Sequence, residues 1–180
     1  MCSVRLKPFC LGHIILLEKL ASPLIQAETE SVDIASGLAH FFFALLICSM
    51  TYEDGVTFLT DPEAMSQVTN DFVSSLQKQM EQDTNWNCFD KIRLFEEYMQ
   101  YYLAPVYYDE MRSGNDGVPS GLDWKTPLII SFKKIGFSES DTLNMAFNKL
   151  NYVWTAYAES EGAVKAWNAE TVKQHEAMKR

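Results

Sequence analysis

The chain has 180 residues, and its 15 basic and 24 acidic side chains give a net charge of −9 at neutral pH. A chain of this length can bury about 70% of its extended surface, so it needs no disulfide or metal to fold. The negative balance argues against nucleic acid as a partner, because phosphate-backbone binding relies on Lys and Arg.

The first predicted helix begins at Pro8 and ends near Leu20. Proline suits the first helical position, where its missing N–H costs nothing, and Ser22-Pro23 then breaks the helix. A signal peptide would need an unbroken apolar run followed by a small-residue cleavage site. Because His13 interrupts the run and charged residues follow it, we expect no export.

Residues 34–50 are predicted to form a central helix, with Asp33 as its cap. The segment Leu38–Met50 is apolar except at His40 and Ser49, and it is shorter than the roughly 20 residues of a membrane span. A helix that is apolar on all sides must be enclosed by others. We therefore predict an all-α fold, in which residues 1–180 form one compact bundle of six to eight helices around this buried helix.

Two helices with clear start signals are predicted after a short helix or turn at 51–59. Asp61-Pro62-Glu63 combines a capping carboxylate, a proline at the first position and an acid in the first turn. The helix that it starts has one apolar edge, which predicts a place on the flank of the domain: Met65, Val68, Phe72, Leu76 and Met80. Asn87 is predicted to cap the next helix, whose inward stripe is Phe89, Ile92, Phe95, Met99, Tyr102 and Leu103.

The back of the chain begins with a flexible loop at 113–121, which holds three glycines and a proline. A short helix is predicted near 124–135, with a strand at 128–132 as the alternative, and Gly136 ends either. Ser138 and Asp141 have the form of a capping box and start an amphipathic helix that Gly162 kinks or ends. Residues 163–180 are predicted to be a helix with few apolar residues, which projects, frays or docks onto another surface.

Motifs for nucleotide binding, zinc proteolysis, serine hydrolysis and dithiol chemistry do not occur in the sequence. Cys10 and His13 have a spacing that could place two metal ligands on one helix face, but no second pair completes a site, and two buried residues are the other interpretation. His40 and Cys48 lie about 12 Å apart on a helix, too far for an activated thiol. We therefore expect no enzyme, no catalytic residues, no metal and no cofactor.

Aromatic residues are the strongest remaining signal, at 13% of the chain. Tyrosine and tryptophan are frequent at interfaces because each combines an apolar body with a polar tip. Each candidate has core packing as its alternative role. The candidate partner-binding residues are Tyr98, Tyr101, Tyr107, Tyr108, Trp124 and Trp167.

Two passages together resemble a known class of protein. LKPFCLGHIILLEKLASPL at 6–24 and TPLIISFKKIGFSESDTLNMAFNKLNYVWTAYAESEG at 126–162 are similar to small proteins encoded among bacteriophage tail genes, which look like tail assembly chaperones. The resemblance implies a helical, non-enzymatic factor in the bacterial cytoplasm. Such a factor is implied to coat the tape-measure protein as an oligomer and to recruit tail-tube subunits, without membrane or nucleic-acid partners.

Two other functions stay open at the level of sequence. One is a structural virion component, such as a tail-completion or connector protein. The other is a small helical enzyme with an unfamiliar site around His13 or His40.

Overall fold

The computed structural model describes residues 5–23, 34–82, 87–104, 106, 108–110 and 123–178. Within these ranges there are nine helices and two strands of three residues each, so the predicted all-α class is confirmed. Two compact units divide the chain, Met1–Tyr102 and Leu103–Arg180, and they are described separately below. A single domain over 1–180 stays a prediction, and the loop at 113–121 and Asp33 lie outside the described residues.

The first unit contains five helices: α1 (Leu11–Lys19), α2 (Ile34–Cys48), α3 (Tyr52–Thr60), α4 (Pro62–Gln82) and α5 (Cys88–Tyr102). None of the helices in the described ranges is both long enough and apolar enough to span a bilayer.

Two predicted start signals of the first unit are confirmed. Asp61 Oδ1 accepts hydrogen bonds from the backbone N–H groups of Glu63 and Ala64, at 2.9 and 3.3 Å. Asn87 Oδ1 accepts from the N–H of Phe89 at 3.0 Å. The predicted start at Pro8 is wrong, because Cys10 is the N-cap of α1 and residues 5–9 are not helical.

Helix α2 is enclosed over much of its surface, with Leu46 and Ile47 also buried, but it is not covered all round, which corrects the prediction of a helix buried all round. Phe41, Ala44 and Cys48 follow the helical repeat and are buried. Phe42, Phe43 and Leu45 are only half-buried. The described residues packed around α2 leave part of its apolar surface open, and this opening is the candidate site described below.

The segment before α1 closes the C-terminal end of α2 through a backbone hydrogen bond. The N–H of Lys7 donates to the carbonyl of Cys48 at 2.8 Å, and the Tyr98 hydroxyl donates to the carbonyl of Lys7 at 2.6 Å. Carbonyl groups in the last turn of a helix have no partner within it. The N-terminal segment therefore satisfies a carbonyl at the end of α2 while α5 anchors the segment itself.

His13 forms a second link between α1 and the end of α2. Its Nδ1 accepts from the N–H of Cys10 at 3.3 Å, and its Nε2–H donates to the carbonyl of Met50 at 3.0 Å. The two bonds define a neutral imidazole with its proton on Nε2. The side chain is 1% exposed, and burial lowers the pKa of His13 below its usual value. His13 is thus a satisfied core histidine.

Helices α1 and α3 approach closely at Gly55. A Cβ atom on this residue would clash with Cδ1 of Leu16, whose side chain is fully buried. The absence of a side chain at Gly55 therefore lets α3 pack closely against α1.

Helix α5 turns the predicted face inward except at the two ends of the stripe, and Ile92 and Tyr102 are half-buried. Phe95 and Met99 are buried as expected, but Phe89 is 79% exposed. Phe95 follows Phe89 by six positions along the helix. At about 100° per residue, the two side chains therefore lie about 120° apart around the helix axis. Leu103, predicted to be inward, lies just after the helix and is 41% exposed.

The second unit contains α6 (Lys125–Lys134), α7 (Glu139–Asn144), α8 (Phe147–Ser160) and α9 (Ala169–Met178), with β1 (Tyr108–Glu110) and β2 (Val164–Ala166). Residues 128–132 are helical, so the strand alternative is wrong. The strands pair antiparallel, with Tyr108 opposite Ala166. The largest fully buried side chains of this unit are Phe132 and Leu150.

Glycines end two helices of this unit, as predicted. Gly136 and Gly162 have φ values of +98° and +68°, a region that glycine enters without the penalty of a Cβ atom. In both cases the next residue donates its N–H back five positions, Phe137 to Phe132 at 3.0 Å and Ala163 to Ala158 at 2.8 Å. This pattern is the Schellman motif.

Two boundaries in the second unit differ from prediction. The capping box at Ser138 and Asp141 is present, but the helix ends at Asn144, and extended backbone at Met145 and Ala146 separates α7 from α8. The predicted helix at 163–180 begins only at Ala169, because residues 164–166 form β2 and pair with β1.

We expect the stability of the protein to fall on mild acidification because of His13. Since burial lowers its folded-state pKa, the unfolded chain takes up a proton below about pH 6.5 that the folded chain does not, and the free energy of unfolding falls by up to about 1.4 kcal/mol per pH unit. Above about pH 7.5 this contribution is constant, since both states are neutral. Urea unfolding at several pH values measures the slope.

His13→Gln should remove this slope, whereas His40→Gln, which leaves both His13 bonds in place, should keep it. A wild-type protein whose stability does not change between about pH 7.5 and 5.5 would contradict this assignment.

We expect Gly55→Ala to destabilise the protein by about 1 kcal/mol, because overpacking against Leu16 outweighs the gain in helix propensity. Gly37→Ala in α2 is the matched control, since no described atom lies within 4 Å of the added Cβ. That variant should be more stable by roughly 0.5–1 kcal/mol. Thermal or urea unfolding measures both, and equal stabilisation by the two substitutions would show that α1 and α3 are not in close contact.

Candidate functional site

The second apolar face of α2 contacts α4 through an aromatic pair. The rings of Phe42 and Phe72 meet edge to face, with their centroids 6.1 Å apart. Phe42, Leu45 and Leu46 share this face of α2 because they follow the helical spacing of three and four. An open apolar cleft lies on each side of the aromatic contact.

We call the first cleft the α4 trough, which lies between α2 and α4 and has a volume of about 320 Å³. Helix α2 contributes Ala39, Phe42, Phe43 and Leu46. Helix α4 contributes Thr69, Phe72, Val73, Leu76, Gln77 and Met80. The α4 positions repeat at three and four residues over eleven positions, which corresponds to about 16 Å or three helical turns.

Several groups along the trough lack the partners that a finished core would supply. Val73 is 44% exposed and Met80 is 52% exposed. The hydroxyl oxygen of Thr69 is buried and has no hydrogen-bond partner among the described residues. Buried polar atoms are paired in nearly all folded proteins, so this hydroxyl is suited to a donor or acceptor on a bound molecule.

We call the second cleft the α5 cleft, and its volume is about 260 Å³. Phe42, Phe72 and Leu76 line both clefts, so the two are adjacent across one aromatic ridge. The remaining walls come from the N-terminal segment, α2, α4 and α5: Leu6, Phe41, Leu45, Gln79, Lys91, Leu94 and Phe95. Leu94 is 53% exposed at the edge of this cleft.

Tyr98, a predicted partner-binding residue, packs within the first unit. Its ring stacks on Phe95 at 5.5 Å and meets Phe9 edge-on at 6.2 Å. Its hydroxyl is bonded to the carbonyl of Lys7, and burial raises the pKa of Tyr98 above its usual range. Contact of Tyr98 with a partner stays a prediction, but the ring already anchors the N-terminal segment.

Tyr101, on the same helix, is 66% exposed and touches Tyr102 edge-on at 4.9 Å. It follows Leu94 by seven positions and therefore shares one edge of α5 with it. This edge borders the α5 cleft.

Two candidates lie in the second unit, and two cannot be placed as side chains. Trp124 is 50% exposed, contacts Phe147 edge-on at 6.4 Å and lies 5.2 Å from the Lys125 ammonium. Trp167 is half-buried against the His175 ring at 5.1 Å. Tyr107 lies outside the described residues, as does the side chain of Tyr108.

The two thiols that the structure describes in the first unit are enclosed rather than presented to solvent. Cys10 and Cys48 are free and buried, and burial raises the pKa of the Cys10 thiol to about 11 and that of Cys48 further. Only the thiolate is nucleophilic, so both thiols are inert near neutral pH. With both ring nitrogens of His13 engaged, Cys10 and His13 do not form a metal site. Among the described residues, no group of three or more His, Cys, Asp or Glu could hold a metal ion.

The sequence interpretation missed the two clefts although it identified their residues. Phe72, Leu76 and Met80 were expected to form the inward edge of a flanking helix, and α2 was expected to be fully covered. The sequence nevertheless contains a feature that indicates the clefts. The sequence of α2 is apolar on all sides, whereas that of α4 has a single apolar edge. One narrow stripe cannot cover a broad apolar surface, so part of it must stay open.

Comparisons with protein families, with curated proteins and with solved structures found no match to this chain.

Proposed function

We propose that the protein is a bacteriophage tail assembly chaperone, which acts in the bacterial cytoplasm and binds an amphipathic helix of the tape-measure protein in the α4 trough. The observation that carries the proposal is the trough itself, three helical turns of apolar surface that no described residue covers. The sequence resemblance to proteins encoded among tail genes supplies the identity of the client.

The shape of the trough favours a helix as its occupant. Its α4 wall presents side chains at spacings of three and four residues, which form ridges with grooves between them. The side chains of another helix have the same spacing and fit such grooves. Recognition of this type uses apolar anchors at positions i, i+3 or i+4, and i+7 of the client.

The charge of the chain suits a protein that coats a long client in many copies. Each copy carries −9, so neighbouring copies repel one another wherever they are not held by the client. In this proposal the copies associate along the tape-measure protein and recruit tail-tube subunits, and the protein catalyses no reaction.

Co-expression with the tape-measure protein tests the proposal. Wild-type protein should retain the client during purification, whereas Val73→Gln with Met80→Gln should retain at least tenfold less. Each substitution removes a partly exposed apolar side chain whose burial against the client contributes about 1 kcal/mol. The matched control is Ser74→Gln with Glu81→Gln, at exposed α4 positions that do not line the trough.

The proposal fails if the wild-type protein does not retain the tape-measure protein, or if the trough and control variants retain it equally. Recovery of the chain from purified virions would instead favour a structural component of the tail.

A further inference from the structure

Lys91 is in an unusual position for a surface lysine. It is the only charged residue among those that line the α5 cleft or the α4 trough. Its neighbours Asp90 and Arg93 pair with each other at 3.7 Å, but Lys91 forms no ion pair with any described residue. Among the described residues, the cleft therefore presents one cation without an ion-pair partner at the edge of an apolar surface.

This arrangement selects for a negative charge next to apolar groups. A lysine can pack its aliphatic stem along apolar walls while its ammonium stays at the rim. An anion held there interacts more strongly than in bulk water, because the apolar walls lower the local dielectric constant.

We infer that the helix bound at this site carries an aspartate or glutamate on the flank of its apolar stripe, and that Lys91 pairs with this carboxylate. The inference rests on the proposed function, since it specifies the chemistry of the client helix. Through this pairing the site prefers amphipathic helices with an acidic residue beside the apolar stripe, a preference that the α4 trough alone does not provide.

The shared ridge favours a helix over a small amphiphile as the source of the carboxylate. Phe42, Phe72 and Leu76 line both clefts, so a ligand seated over them touches both. A helix with its side chains is about 10 Å wide. When the apolar side chains of a client helix occupy the α4 trough, the flank of that helix therefore lies above the α5 cleft. A single acyl chain would fill one cleft and leave the other open.

Three synthetic peptides test the inference. Each has about 18 residues, or five turns, with a leucine stripe on an alanine and glutamine background. They differ only at two positions, one on each flank of the leucine stripe, and both positions are Glu, Gln or Lys in a given peptide. In either binding orientation, one of these side chains then faces Lys91. Fluorescence anisotropy measures their affinity for the full chain at about 0.15 M salt, where charges further apart than about 8 Å are largely screened.

The Glu peptide should bind the wild-type protein two- to fivefold more tightly than the Gln peptide, as about 0.4–1 kcal/mol for a partly exposed ion pair implies. Lys91→Gln should abolish this preference, and Lys91→Glu should reverse it in favour of the Lys peptide. Lys78→Glu is the matched control, because it changes the net charge equally at an exposed position outside both clefts. That variant should keep the preference for Glu.

Equal binding of the three peptides, or a Glu preference that Lys91→Glu leaves intact, overturns the inference while the proposed function stands. If no peptide binds and the tape-measure protein is not retained either, both fail. Binding of sodium dodecanoate that depends on Lys91, with no such dependence for the peptides, would assign the cleft to a small carboxylate amphiphile and overturn the inference.

Discussion

Helix α2 has more apolar surface than the described residues of the first unit cover, and the two clefts follow from this excess. It contains no Asp, Glu, Lys or Arg, so every side that faces water has a hydrophobic cost. Much of its surface is enclosed, whereas the face that carries Phe42 meets α4 through an aromatic contact of Phe42 with Phe72 and stays partly open. Two open clefts beside that contact are the direct result.

The enclosed face depends on polar contacts that involve few residues. Lys7 satisfies the carbonyl of Cys48, Tyr98 satisfies the carbonyl of Lys7, and His13 links the N–H of Cys10 to the carbonyl of Met50. These bonds hold the N-terminal segment against the end of α2. The same segment contributes Leu6 to the wall of the α5 cleft, whereas the residues that line the α4 trough come from α2 and α4. A substitution on the outer α4 wall can therefore change binding without loosening the core.

Local signals predicted much of this fold, and tertiary contacts account for the errors. Asp61-Pro62, Asn87 and Ser138 begin helices as expected, because a cap acts within one turn of backbone. Strand β2 was missed because three residues carry no periodic pattern and pair with a strand more than fifty positions earlier. The break at Met145 and Ala146 has no local signal, since both residues favour helix. The clefts were missed because their existence depends on how much of α2 each neighbour covers, which no single segment encodes.

The central claim is that α2 and α4 receive a helix of another polypeptide in the trough between them. Isotope-edited NMR of the complex with the tape-measure protein tests this most directly, through the methyl groups of Met80, Leu76 and Leu46. The account predicts intermolecular nuclear Overhauser effects from these methyls to apolar side chains of the client at helical spacing. A complex in which the client contacts other surfaces, while these three methyls keep the chemical shifts of the free protein, would contradict it.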